Sequence, residues 1–147
     1  MRVLALCGTA AIVAAVVGCT RPVPGVLTLA PAGMTLQGTT QAQADGSLLM
    51  DPGATAESTV YVDAGGVSIT ITAEAAAVGR SSDLTLWFAG GAVGTVHVQG
   101  SHPQQFPFQV HARASGPTAL RIVIPPPAGA EANGPAVHVQ KIVVTEP

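Results

Sequence analysis

Val67-Ser68-Ile69-Thr70-Ile71-Thr72-Ala73-Glu74-Ala75 is the stretch that decides the fold class. Val67, Ile69, Ile71 and Ala73 alternate with Ser68, Thr70, Thr72 and Glu74. A period of two, rich in β-branched residues, describes a strand with one face in a core and the other in water. Ala64-Gly65-Gly66 before it predicts a tight turn. Thr59 to Val62 predicts a strand leading into that turn.

The same pattern spreads outward. Leu84, Leu86 and Phe88 alternate with Thr85 and Trp87. Gly90-Gly91 then predicts a reversal into Val93 to Gln99. Phe106, Phe108 and Val110 alternate with Gln105, Pro107 and Gln109. A proline there predicts an edge strand or a bulge, because it cannot donate to a ladder. Leu120, Ile122 and Ile124 flank Arg121 and Val123. The last strand spans Ala136 to Thr145, and its apolar parity switches between Val139 and Ile142, as at a bulge or a crossing between sheets. Val26 to Leu29, Met34 to Gln37 and Ser47 to Met50 add three more candidates. The Ala-rich segment from Glu74 to Gly79 is too short to hold a helix alone. Many short strands separated by turns predict an all-β chain folded as an antiparallel β-sandwich. There is no internal repeat.

The N-terminus has a different character. Arg2 precedes an apolar run from Val3 to Val17, broken only by Gly8 and Thr9. The run is shorter than the roughly 20 residues of a membrane span and reads as a secretory signal peptide over residues 1–18. It ends in Val16-Val17-Gly18-Cys19, which resembles the lipobox of bacterial lipoproteins. That resemblance implies cleavage before Cys19 and lipidation of its thiol, so the membrane becomes a partner through a lipid anchor. The expected location is an outer membrane or a cell surface, since Thr20 is not the Asp that signals inner-membrane retention. Residues 19–25 form a short tether stiffened by Pro22 and Pro24. Residues 26–147 form the domain. The chain has two cysteines. Cys7 leaves with the signal and Cys19 takes the lipid, so neither a disulfide nor a thiolate metal site is expected.

Composition excludes several functions. The 147 residues carry 6 Lys plus Arg against 8 Asp plus Glu, a net charge of -2. Without a basic patch, nucleic acid is not an expected partner. His97, His102, His111 and His138 read as solvent-facing. A simple hairpin of Val93–Gln99 with the Phe106 strand would pair His97 nearer Phe108 than His111, which disfavours a shared metal. No G-x-S-x-G elbow is present, and Ser81-Ser82-Asp83 reads as a loop. Glu74 and Asp83 flank one loop, as paired glycosidase carboxylates can, yet a chain this small offers no deep cleft. No enzymatic activity is expected.

Aromatics are only 3% of residues, so each one matters. Trp87 has the parity opposite to Leu84, Leu86 and Phe88. It either caps the core or presents its ring on an outer face as a platform for a sugar. Tyr61 is the other amphipathic aromatic. A glycan site would draw on Trp87, Glu74, Asp83 and Asn133, the last in the loop from Gly129 to Gly134.

Several phrases resemble carbohydrate-binding modules of the galactose-binding-like jelly-roll group, above all the calcium-dependent xylan-binding type. They are Val60-Tyr61-Val62-Asp63-Ala64-Gly65-Gly66, Ile69-Thr70-Ile71-Thr72-Ala73, Leu84 to Gly91, Val93-Gly94-Thr95-Val96-His97-Val98, Phe106-Pro107-Phe108, Gly116 to Ile124 and Val137 to Val144. The resemblance implies a jelly roll over nearly the whole domain and non-catalytic binding of a polysaccharide. It departs from the family where calcium would sit. Acidic residues common on the family's first strand are replaced by Leu29-Ala30-Pro31-Ala32-Gly33-Met34. Gln140 stands where an Asp is common on the last strand. Ile124-Pro125-Pro126-Pro127 replaces the Asn and Asp of xylan-binding members. Calcium wants six to eight oxygens, carboxylates foremost, so no cofactor is expected. The alternative is a structural lipoprotein whose sandwich docks an envelope protein and binds no glycan.

Overall fold

The computed structural model describes residues 25–77, 80–126 and 136–146. Among them are eleven strands: β1 (Val26–Leu29), β2 (Thr35–Gln37), β3 (Thr40–Ala42), β4 (Leu48–Met50), β5 (Thr55–Val62), β6 (Gly65–Ala75), β7 (Ser81–Phe88), β8 (Gly91–Gln99), β9 (Gln104–Ala112), β10 (Gly116–Val123) and β11 (Val137–Thr145). One sheet runs β3-β4-β11-β6-β9, with β1 also paired to β11. The other runs β2-β5-β10-β7-β8. Every pairing is antiparallel. The two sheets form the predicted sandwich.

Alternation decides what each sheet buries. Val67, Ile69, Ile71 and Ala73 of β6 are fully buried, as are Leu84 and Leu86 of β7, Leu120 and Ile122 of β10, and Val137, Val139, Ile142 and Val144 of β11. Each such Val, Leu or Ile contributes roughly 1.5–3 kcal/mol by leaving water. Phe108 of β9 reaches toward β8: a Cβ placed on Gly94 would lie 3.6 Å from its Cε1. The missing side chain at Gly94 thus makes room for an aromatic ring from the opposite sheet.

The parity switch in the last strand is a bulge. Val139 pairs with Ala73 and Lys141 with Thr72, leaving Gln140 as the extra residue. It separates the two partners on the other edge of β11. β4 takes Val137 to Val139 and β1 takes Ile142 to Thr145. Pro107 lies opposite Thr70 on β9, an edge strand, where a missing N–H breaks no ladder.

Four expectations need correction. Ser81-Ser82-Asp83 is not a loop but the first part of β7, paired with Gln99, Val98 and His97 of β8. β8 and β9 are not a hairpin but lie in different sheets, because residues 100–103 carry the chain across the sandwich. His97 therefore pairs with Asp83 on β7, and His111 with Gly66 on β6. Gly65 and Gly66 belong to β6 rather than to a turn, and Asp63-Ala64 crosses between sheets. β3 was not foreseen, since Thr40-Gln41-Ala42 is short and polar.

Candidate functional site

β7 buries Leu84, Leu86 and Phe88, so Asp83, Thr85 and Trp87 face outward from the five-stranded sheet. The register extends this face across its neighbours. Trp87 lies opposite Arg121 on β10, Arg121 opposite Glu57 on β5, and Glu57 opposite Thr35 on β2. Strands sit about 4.8 Å apart, so this row spans about 14 Å. A second row runs Gln37, Thr55, Val123, Thr85 and Thr95. A third pairs Asp83 with His97.

The side chains on this face hold one another in place. Arg121 donates from Nε to Glu57 Oε2 at 2.8 Å. Its guanidinium carbon lies 5.8 Å from the Trp87 ring centroid, within cation–π reach. The Thr85 and Thr95 hydroxyls meet at 2.8 Å. His97 Nδ1 and Asp83 Oδ1 are also 2.8 Å apart. Both ion pairs are about half exposed, so each adds at most about 1 kcal/mol of stability. Their consequence is orientation rather than stability: Glu57 fixes Arg121 beside the indole. Thr35, Gln37, Thr55, Glu57 and Arg121 line a shallow depression of about 170 Å³. On the β8 side, Trp87 is paired with Ala92, a single methyl group.

Of the four residues grouped from sequence, two share this face. Trp87 is half-buried there and Asp83 is exposed two pairs along the same strand. Glu74 stands on the outer face of the other sheet, opposite His138. The body of the sandwich separates it from Trp87. Asn133 lies outside the described residues, as does Cys19. Tyr61 is half-buried on the Trp87 face, opposite Pro117.

Glu74 belongs to a different network. Its Oε1 lies 3.0 Å from His138 Nδ1 and accepts from Gln140 Nε2 at 3.4 Å. His138 Nε2 lies 2.7 Å from Ser47 Oγ. The connectivity Ser–His–Glu is that of a hydrolytic triad. Two facts deny it that chemistry. Ser47 is only 2% exposed, so no acyl carbonyl can approach it. Its hydroxyl also meets Asp45 Oδ1 at 2.5 Å. A nucleophilic serine must donate to its histidine, and this one donates to a carboxylate. That donation, reinforced by the Ser47 N–H, holds the Asp45 carboxyl below its ordinary range. The network fastens the turn before β4 to β11 and β6. Among the described residues, no three His, Cys, Asp or Glu side chains converge as a metal site. Glu74 takes its hydrogens from nitrogen donors.

The sequence does not single out Arg121 or Glu57, and it gives His97 only as a solvent-facing histidine. Arg121 and Glu57 are 64 positions apart and meet only through the β5–β10 register. The available signal was parity: Arg121 sits between buried Leu120 and Ile122 as Trp87 sits between Leu86 and Phe88.

No family model matches this sequence, and no curated protein does. Solved structures do match. The CBM36-1 domain of a multidomain xylanase from the hindgut metagenome of Trinervitermes trinervoides superposes with a TM-score of 0.69 at 16% identity, covering 83% of this chain and 98% of that one. A CBM36 carbohydrate-binding module in complex with calcium and xylotriose gives 0.66 at 15% identity, over 82% and 98%. The C-terminal CBM6 of LamC, a laminarinase from Zobellia galactanivorans, gives 0.58 at 12%, over 82% and 99%. The outer-face row around Trp87 is thus built on the antiparallel jelly-roll sandwich shared by these carbohydrate-binding modules.

Proposed function

We propose that this protein is a lipid-anchored envelope lipoprotein whose domain binds a polysaccharide without catalysis. The observation that carries the reading is the row Thr35–Glu57–Arg121–Trp87 across one exposed sheet face. A pyranose ring has C–H faces that pack on an indole and hydroxyls that need directed partners. The row supplies both, Trp87 for the faces and Arg121, Glu57 and the threonines for the hydroxyls. Its length accommodates more than one sugar unit. The modules of the same fold named above support the ligand class, one of them seen with xylotriose.

Binding here is independent of calcium. The first strand offers no carboxylate, and Gln140 presents an amide to Glu74 where an Asp would present oxygen. The anchor is the thioether lipid on Cys19, with residues 19–25 keeping the sandwich close to the bilayer.

A glycan array followed by isothermal titration with xylan and galactan oligosaccharides tests the ligand class. Trp87→Ala is expected to weaken binding roughly tenfold, the factor for losing about 1.4 kcal/mol, while leaving the fold intact. Silence across every glycan, together with recovery of one stoichiometric protein partner from membranes, would replace this reading with a protein-docking role. For the anchor, wild-type protein partitions into the detergent phase and Cys19→Ala into the aqueous phase. Equal partitioning refutes lipidation.

A further inference from the structure

A larger concavity lies at one end of the sandwich, where the β7–β8 turn faces the β9–β10 connection. Its volume is about 740 Å³, within the range of small-molecule sites. Phe88 and Val93 contribute apolar wall, and His111, Arg113, Ser115 and Thr118 contribute polar groups. Ala92 and Pro117, at the edge of the Trp87 face, reach its lining, but Trp87, Arg121, Glu57 and Thr85 do not.

Four features set it apart. Among the described residues no Asp or Glu lines it, although acids outnumber Lys plus Arg in the chain, 8 to 6. Arg113 is exposed and has no hydrogen bond or ion pair among the described residues. Ser115 is fixed, its Oγ accepting the Ala64 N–H at 2.9 Å. The opposite lip is strained. Ala89 holds a φ of 54°, with its N–H donated to Ala119 O at 2.9 Å. Non-glycine residues rarely adopt that region, and such residues cluster at ligand sites.

We propose that this cleft is a second binding site, for sugar acids: saccharide units bearing a carboxylate. The Arg113 guanidinium presents paired N–H donors that match a carboxylate in bidentate fashion. With no acid in the lining, no internal partner competes for that fork. Thr118 and His111 offer partners to ring hydroxyls, and the apolar wall covers the C–H face. The site does not depend on the outer-face reading and survives its failure.

The test uses tri-galacturonate, its methyl ester and xylotriose, titrated into the full chain by isothermal calorimetry. The acid is expected to bind, to weaken as salt rises, and to weaken roughly fivefold or more in Arg113→Gln, the factor expected for about 1 kcal/mol. The methyl ester is expected to bind no better than it does to Arg113→Gln. Trp87→Ala is expected to leave tri-galacturonate binding unchanged, which separates this site from the sheet face. Equal affinity in wild type and Arg113→Gln, equal affinity for acid and ester, or no binding of the acid at millimolar concentration overturns the proposal. Because Arg113 is exposed, its substitution leaves the melting transition in place, and a melting curve confirms this.

Discussion

At the scale of single residues, the informative groups are those whose hydrogen bonds are either fully committed or missing. Ser47 is fully committed, with its hydroxyl between Asp45 and His138. Thr72 is the opposite case. It is 7% exposed and, among the described residues, its Oγ1 has no partner. A buried hydroxyl left unpaired carries a desolvation cost with no return. Thr72→Val keeps the β-branched shape and removes that oxygen, so it is expected to stabilise the domain by about 1 kcal/mol. A urea melt with a raised midpoint and unchanged slope checks this; a lowered midpoint would mean that the hydroxyl has a partner in solution. Trp87 was legible as an outer-face candidate because its neighbours Leu86 and Phe88 fix its parity. Glu57 and Arg121 were not, nor was the pairing of solvent-facing His97 with Asp83, because such meetings depend on strand register, and register is a property of the whole sheet. Glu74 was grouped with Asp83 on sequence proximity, yet the chain changes sheets between β6 and β7 and puts them on opposite outer faces.

Among the elements, the β7–β8 hairpin shows how local sequence and tertiary demand disagree. Phe88 pairs with Gly91, leaving Ala89-Gly90 as a two-residue turn with φ values of 54° and 81°. Both central residues of such a hairpin need positive φ, a position that suits Asn, Asp or Gly. Ala89→Gly is expected to relieve roughly 1 kcal/mol of strain, less the added entropy of a glycine in the unfolded chain. Thermal denaturation with a higher midpoint supports this; a lower one shows that the Ala89 methyl is held by contacts stronger than its strain. The long strands were readable because apolar alternation runs from Val67 to Ala75 in β6, from Leu84 to Phe88 in β7 and from Leu120 in β10 to Ile124 just after it, although the first residues of β7 and β10 gave no such signal. So was the β11 bulge, since one extra residue flips every later side chain to the other face. The β8–β9 connection was not. Two adjacent alternating strands look alike whether they pair as a hairpin or cross between sheets, and the crossing is revealed by the pairing of β8 with β7 and of β9 with β6.

For the molecule as a whole, two buried sheet faces supply the stability, and the two outer faces are left with different chemistry. One is fastened internally by Ser47, His138 and Glu74. The other displays Trp87 and its polar row. We propose that a site assembled in this way works without a divalent ion. Adding calcium is expected to leave the melting temperature unchanged, and so is a chelator. A rise of several degrees with calcium, reversed by the chelator, would show that a calcium site has persisted despite its missing carboxylates. The fold class was legible in the sequence because it rests on periodicity, and the ligand face was only half legible because it rests on pairing. The most direct test of the account is to titrate xylo-oligosaccharides and galactan oligosaccharides into the ¹⁵N-labelled protein and map the amide and indole shifts. The account predicts shifts concentrated at Trp87, Arg121, Glu57 and Thr85 on the five-stranded sheet. Shifts confined to the opposite sheet, or none with any oligosaccharide, would contradict it.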